Sequence, residues 1–224
     1  MQKFNITIAF LLICGFVYSQ QLSQITFSNG SNLDCIAFIT DQNVLIRITP
    51  DGKIVEWGME MMSMRSDYYS PKLQPFMGRV DYYDAESDSA FRGKVKSIGT
   101  CPFTYYGSYE KDGKPGKIRT IGTAMFDYYD NFAEKTLRGK IRFAGIPELA
   151  YYSSFEDEAF RGKLKLVGNT PITYYSTFDD KSIKGKIKSI GSVPYIWYTS
   201  FDLRSGLKSG FYRQNIGGVT YILR

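Results

Sequence analysis

The chain has 224 residues, 43% hydrophobic and 16% aromatic, with 28 basic against 22 acidic residues, a net charge of +6 and no histidine. The missing histidine removes the commonest general base and metal ligand. The basic excess is mild and, together with an export signal at the N-terminus, it sets nucleic acid aside as a partner.

Residues 1–19 read as a secretory signal peptide. Lys3 is the only charge before a mostly apolar run from Ile6 to Val17. That run falls short of the roughly 20 residues that span a bilayer. Val17, Tyr18 and Ser19 offer a cleavage site, leaving a mature chain from Gln20 with a net charge of +5. Ile13 stands before Cys14 where a lipoprotein box needs a small residue, so lipidation is not expected. No later stretch is long enough to span, so the cleaved chain is not transmembrane. The short, barely charged leader followed by Gln20-Gln21 is similar to those of Gram-negative secreted proteins, which places the expectation in the periplasm or outside the cell.

Residues 20–79 read as an N-terminal β cap with degenerate repeats. Asn43 to Thr49 is strand-like, and Gly52 to Gly58 copies the second strand of the 23-residue unit that dominates the rest of the chain. Tyr68-Tyr69 and Gly78-Arg79-Val80 form a shortened unit, whereas Met59 to Met64, with four methionines, breaks the pattern. Cys35 and Cys101 survive cleavage and are a candidate disulfide in an oxidising compartment.

Residues 80–202 repeat with a period of 23. Tyrosine pairs recur at Tyr82-Tyr83, Tyr105-Tyr106, Tyr128-Tyr129, Tyr151-Tyr152 and Tyr174-Tyr175, and Trp197-Tyr198 closes the series. Gly93, Gly116, Gly139, Gly162 and Gly185, each followed by Lys, keep the same step, as do Gly99, Gly122, Gly145, Gly168 and Gly191. Such a period marks an array of one supersecondary unit, each burying an apolar face on its neighbours. If the first segment of each unit is extended, Phe103, Phe126, Leu149, Ile172 and Tyr195, then the first aromatic of each pair, then Tyr109, Phe132, Phe155, Phe178 and Phe201 share one face and are expected in the core. The second tyrosines share the other face with polar residues such as Thr104, Asp127 and Ser154. An acidic turn comes after, then a second strand such as Gly162 to Gly168, in which Leu164 and Leu166 point one way and Lys163 and Lys165 the other. No segment shows helical periodicity of useful length. The fold expected is all-β: an elongated antiparallel meander of tandem 23-residue β-hairpins with atypical caps, growing by about 10 Å per unit. Residues 203–224 lose the period and read as a C-terminal cap with a strand-like Val219 to Leu223.

The spacing of Tyr151, Phe155 and Gly162, and of Tyr174, Phe178 and Gly185, resembles the MORN repeat, a β-hairpin of the same length. The resemblance covers residues 80 to 201. The family's Gly at the third position is present only as Gly107, and its second late Gly is here Ile118, Ile141, Leu164 and Ile187. The chain is therefore MORN-like. The paired tyrosines are also similar to the choline- and glucan-binding hairpins of cell-wall proteins, which have a shorter period. Both resemblances imply binding or scaffolding and neither implies catalysis.

No nucleophile–base pattern is present, paired carboxylates such as Asp179-Asp180 fall in turns, and no cofactor motif is found. Asp84 to Asp88 has calcium-like alternation, but Ser89 stands where such a loop needs Gly. Two basic columns are the candidate ligand-binding groups: Lys94, Lys117, Lys140, Lys163 and Lys186, and two residues along, Lys96, Arg119, Arg142, Lys165 and Lys188. With Tyr106, Tyr129, Tyr152 and Tyr175 they would present cations beside phenol rings, suited to an anionic glycan or lipid headgroups. The plainer reading is that Lys and Arg stems cover tyrosine rings and keep an exposed sheet soluble. The expected function is a non-enzymatic scaffold with an unknown protein partner, or a binding module for anionic cell-surface polysaccharide or lipid.

Overall fold

The structure is a computed structural model, and it describes residues 20–60, 72–145 and 147–224. The leader, Tyr68-Tyr69 and Met61 to Met64 lie outside the described residues. Among the described residues every regular element is a strand. The N-terminal segment holds β1 (Gln21–Ser28), β2 (Asn32–Ile39), β3 (Val44–Ile48) and β4 (Ile54–Met59). The repeats supply β5 (Val80–Tyr82), β6 (Val95–Ile98), β7 (Cys101–Tyr105), β8 (Ile118–Ile121), β9 (Ala124–Tyr128), β10 (Ile141–Ala144), β11 (Leu149–Tyr151), β12 (Leu164–Val167), β13 (Thr170–Tyr174), β14 (Ile187–Ile190), β15 (Val193–Pro194), β16 (Ile196–Trp197) and β17 (Leu207–Ser209). Two strands end the chain, β18 (Arg213–Ile216) and β19 (Val219–Leu223).

The repeats form the expected antiparallel meander, β5 to β10 in one sheet and β11 to β15 in a second, bridged at Phe143 and Glu148. Consecutive strands such as β6 and β7 join through two-residue turns whose first residue is Gly99, Gly122, Gly168 or Gly191, each at φ between 55 and 57°. A two-residue hairpin turn with positive φ at its first position calls for glycine.

The second strand of each unit departs from strict alternation. Tyr151 pairs with Leu164 and Ala150 with Leu166, so Lys165 is left unpaired as a β-bulge. The same shift isolates Lys96, Arg119, Arg142 and Lys188. A bulge re-aims its own side chain and resets the facing of the residues after it. Hence Leu164 and Val167 point inward, and Leu166, expected to share the face of Leu164, is only half-buried.

The two terminal segments pair with each other. β1 lies parallel to β19, from Gln24 opposite Thr220 to Phe27 opposite Leu223, within a six-stranded sheet ordered β18-β19-β1-β2-β3-β4. This pairing is the one parallel exception to the antiparallel pattern among the described residues. One face of the terminal sheet packs on the repeats. Ile25, Phe27, Ile36, Phe38, Ile46 and Tyr221 share one continuous core with Phe103, Phe126, Tyr128, Tyr151, Ile172 and Tyr195. The Phe38 and Phe126 rings meet edge to face at 4.9 Å. The molecule is thus a two-layer sandwich of repeat meander and terminal sheet.

That layering separates the cysteines. Ile36 and Phe38 face the repeats, whereas Cys35, of opposite parity on β2, faces away with Ala37. Cys101 opens β7 inside the shared core. Both are buried free thiols, so the candidate disulfide is not formed. Burial pushes the Cys101 thiol up to about 12.

Candidate functional site

From the second pair on, the first aromatics are buried as the sequence predicts: Tyr105, Tyr128, Tyr151, Tyr174 and Trp197 are all in the core, whereas Tyr82, on the edge strand β5, is 53% exposed and departs from that expectation. The Tyr105, Tyr128 and Tyr174 hydroxyls donate to the carbonyls of Val95, Ile118 and Leu164 at 2.8–2.9 Å, and Trp197 Nε1 donates to Ile187 at 2.7 Å. These bonds satisfy polar atoms that burial would otherwise leave stranded.

The two basic columns have different surroundings. The first is half-buried and faces the next unit. Lys94, Lys117, Lys140 and Lys163 each donate Nζ–H to the carbonyl of a glycine 22 residues on: Gly116, Gly139, Gly162 and Gly185. Each ammonium also sits 4.7–5.3 Å from the centroid of the next unit's first tyrosine, and Lys186 sits 4.4 Å from Trp197. These lysines staple unit to unit. Their desolvation lowers the Lys94, Lys117, Lys140 and Lys186 ammoniums from their ordinary value, and Lys163 to about 8.

The second column, raised on the bulges, is exposed. Lys96, Arg119, Lys165 and Lys188 cover the second tyrosine of their own unit at 5.0–5.8 Å, and Arg142 is exposed beside them. The second tyrosines are half-buried. Tyr83, Tyr106, Tyr152 and Tyr175 donate their hydroxyls to the carbonyls of Phe103, Phe126, Ile172 and Tyr195 at 2.8–3.0 Å. The Tyr129 ring meets Tyr151 edge to face at 6.0 Å. The rings of Tyr106, Tyr129, Tyr152 and Tyr175 therefore brace the array, with cations over their outward faces.

The acidic turns carry a third inter-unit link. The Asp88, Glu134, Asp157 and Asp180 carboxylates accept the backbone N–H of Ser108, Ser154, Thr177 and Ser200, each 20 residues on, at 2.8–3.0 Å. Hydrogen bonds to the charged form hold the Asp88, Asp157 and Asp180 carboxyls below their ordinary range. No group of His, Cys, Asp and Glu among the described residues is arranged to hold a metal ion.

One part of the predicted core lies outside it. Tyr109, Phe132, Phe155, Phe178 and Phe201 are 86–95% exposed. Each strand ends at the first tyrosine, and the chain then turns. In the unit of Phe178, the Asp179 carboxylate binds the Ser176 N–H at 2.6 Å and Asp157 binds the Thr177 N–H at 3.0 Å. Strand parity stops there, and the ring is thrown outward. The inward seat is filled instead by Phe91, Leu137, Phe160 and Ile183, nine residues after the first tyrosine. Phe160 packs 4.6 Å from Tyr152 and 6.3 Å from Tyr174. The signal for this was a bulky apolar residue two positions before four of the five second-strand glycines, Lys114 standing there before Gly116. An open trough lies between the outer rings Phe155 and Phe178, lined also by Glu156, Asp157, Glu158, Arg161 and Thr177. Comparison with protein-family models, with curated proteins and with solved structures returns no match.

Proposed function

We propose that this protein is an exported, non-enzymatic β-repeat scaffold that binds another macromolecule through its outer aromatic row. The observation that carries this reading is the near-complete exposure of Tyr109, Phe132, Phe155, Phe178 and Phe201, one per unit. Isolated exposed hydrophobic residues are ordinary on a soluble surface, whereas a repeated row of large rings marks an interaction site. The repeat would give such a surface many weak, evenly spaced contacts whose sum sets affinity. The MORN-like spacing supports the same class of function. The test replaces Phe132, Phe155 and Phe178 together with Ser and measures binding to immobilised cell-surface polysaccharides and candidate protein partners. The triple variant is expected to keep its melting temperature and lose binding. Undiminished binding would refute the reading.

A second reading rests on the exposure of Lys96, Arg119, Arg142, Lys165 and Lys188 over tyrosine faces. An anionic polysaccharide or lipid surface would be held there by screened, salt-sensitive contacts. Reversal of Arg119, Arg142 and Lys165 to Glu would abolish such binding, and the aromatic variant would leave it intact.

A further inference from the structure

A cavity of about 140 Å³ lies between the two layers, lined by Asn32 and Pro50 of the terminal sheet and by Lys140, Tyr151 and Lys163 of the repeats. Three features mark it, and the first is shared by none of the equivalent places along the array. First, the Tyr151 hydroxyl is buried and has no hydrogen-bond partner among the described residues. The corresponding hydroxyls of Tyr105, Tyr128 and Tyr174 each have a carbonyl. A buried hydroxyl left unpaired is costly, so each such group calls for an explanation.

Second, two half-buried ammoniums border the cavity with donors to spare. Lys140 donates once, to Gly162, and Lys163 twice, to Gly185 and to Ser31 Oγ, all at 2.5 Å. An ammonium carries three donors, so two on Lys140 and one on Lys163 remain unassigned. Third, the described residues supply no counter-charge here. No carboxylate lines the cavity, and neither lysine forms an ion pair among the described residues. One unit earlier the situation differs, since the Asp51 carboxylate acts favourably on Lys117. Desolvation alone depresses Lys140 and Lys163 from their ordinary value, as expected of half-buried cations without an opposite charge beside them.

We propose that this cavity is a binding site for one small oxyanion, of the sulfate or phosphate class, held by Lys140, Lys163 and the Tyr151 hydroxyl. Among the apolar Leu33, Pro50 and Leu164, the lining sets two ammoniums and one unpaired hydroxyl, donors and positive charge that complement a compact anion. Its volume admits a free tetrahedral oxyanion. A water molecule would satisfy the Tyr151 hydroxyl but leave the two charges unbalanced. The bound ion would sit beneath the terminal sheet at the middle of the repeats, independently of the outer aromatic row.

The test uses radiolabelled sulfate in equilibrium dialysis with the purified protein, and thermal unfolding in potassium sulfate against potassium chloride at matched ionic strength. The wild-type protein is expected to take up one sulfate per chain saturably. Lys163→Met should abolish that uptake. Tyr151→Phe, which removes only the unpaired oxygen, should weaken it about tenfold, the worth of one hydrogen bond to a charged group. Sulfate should raise the wild-type melting temperature more than that of either variant, because only a specific site stabilises by mass action. Sulfate also stabilises proteins by exclusion from their surface, so an equal rise in all three proteins would overturn the proposal. Absence of saturable uptake by the wild type would overturn it as well. Tyr151→Phe keeps the ring and its packing, so the comparison stands even where Lys163→Met does not fold.

Discussion

Phe155 and Phe160 are five residues apart, and their surroundings are opposite. Phe155 stands in solvent and Phe160 packs on Tyr152 and Tyr174. Alternation along an extended strand predicts facing only while the strand lasts, and β11 ends at Tyr151. Past that point carboxylate-to-backbone bonds set the direction of the chain, and these depend on residues from the previous unit. The facing of Phe103, Phe126, Ile172 and the first tyrosines from Tyr105 on was legible because those residues lie within paired strands inside the array. The facing of Phe155 was not, because the turn is tertiary in origin. Phe160→Ala is therefore expected to destabilise the protein by about 2 kcal/mol, below the value for a fully enclosed ring since Phe160 is half-buried. Phe155→Ala should fall within about 0.5 kcal/mol of wild type, as surface substitutions do. Denaturant titrations of the two variants give the comparison, and equal losses would show that the outer row carries structure.

Within the unit, a lysine, a tyrosine and a carboxylate each reach into the next hairpin. The period of these residues was plain in the sequence, but the division of labour between the two basic columns was not. It depends on the bulge at Lys96, Arg119, Arg142, Lys165 and Lys188, which a pattern of alternating residues does not announce. The staples give the protein two dependences on pH. Lys163 has a folded-state value of about 8, below its ordinary 10.5. Between those values the unfolded chain binds the extra proton, so this lysine makes stability rise with pH across that window. Lys163→Met should remove the rise, measured as the difference in melting temperature between variant and wild type from pH 8 to 10. A difference that does not change over this range would mean that Lys163 is fully hydrated. The Asp88, Asp157 and Asp180 carboxyls are shifted the other way, below their ordinary value. Their contribution is complete above about pH 4, near the unfolded value, and fades as acid protonates them in the folded state. Asp157→Ala should narrow the gap in stability between neutral and acid pH, read from urea midpoints at both.

At the scale of the whole molecule, the terminal sheet turns an open array into a closed sandwich. Repeat arrays ordinarily behave as a sum of units and nearest-neighbour contacts, so damage at one end stays local. Here β19 pairs with β1, from the opposite end of the chain, and Tyr221 and Leu223 enter the same core as the repeats. Ile216 lies beside the turn at Gly191, and Leu223 lies opposite Phe27. Nothing in the period of the repeats encodes this closure, because it pairs the two stretches of sequence that lack the period. Removing residues 211–224 should therefore do more than fray the last hairpin. It would strip β1 of its parallel neighbour and uncover the inner face of β13 and β14 at once. Native-state hydrogen exchange on the shortened chain should show lost protection in Ile25 to Phe27 and in Ile172 to Ile190 together, with a single cooperative unfolding transition at lower temperature. An open array would lose protection only beyond β15, and that result would show that the two layers fold as separate bodies.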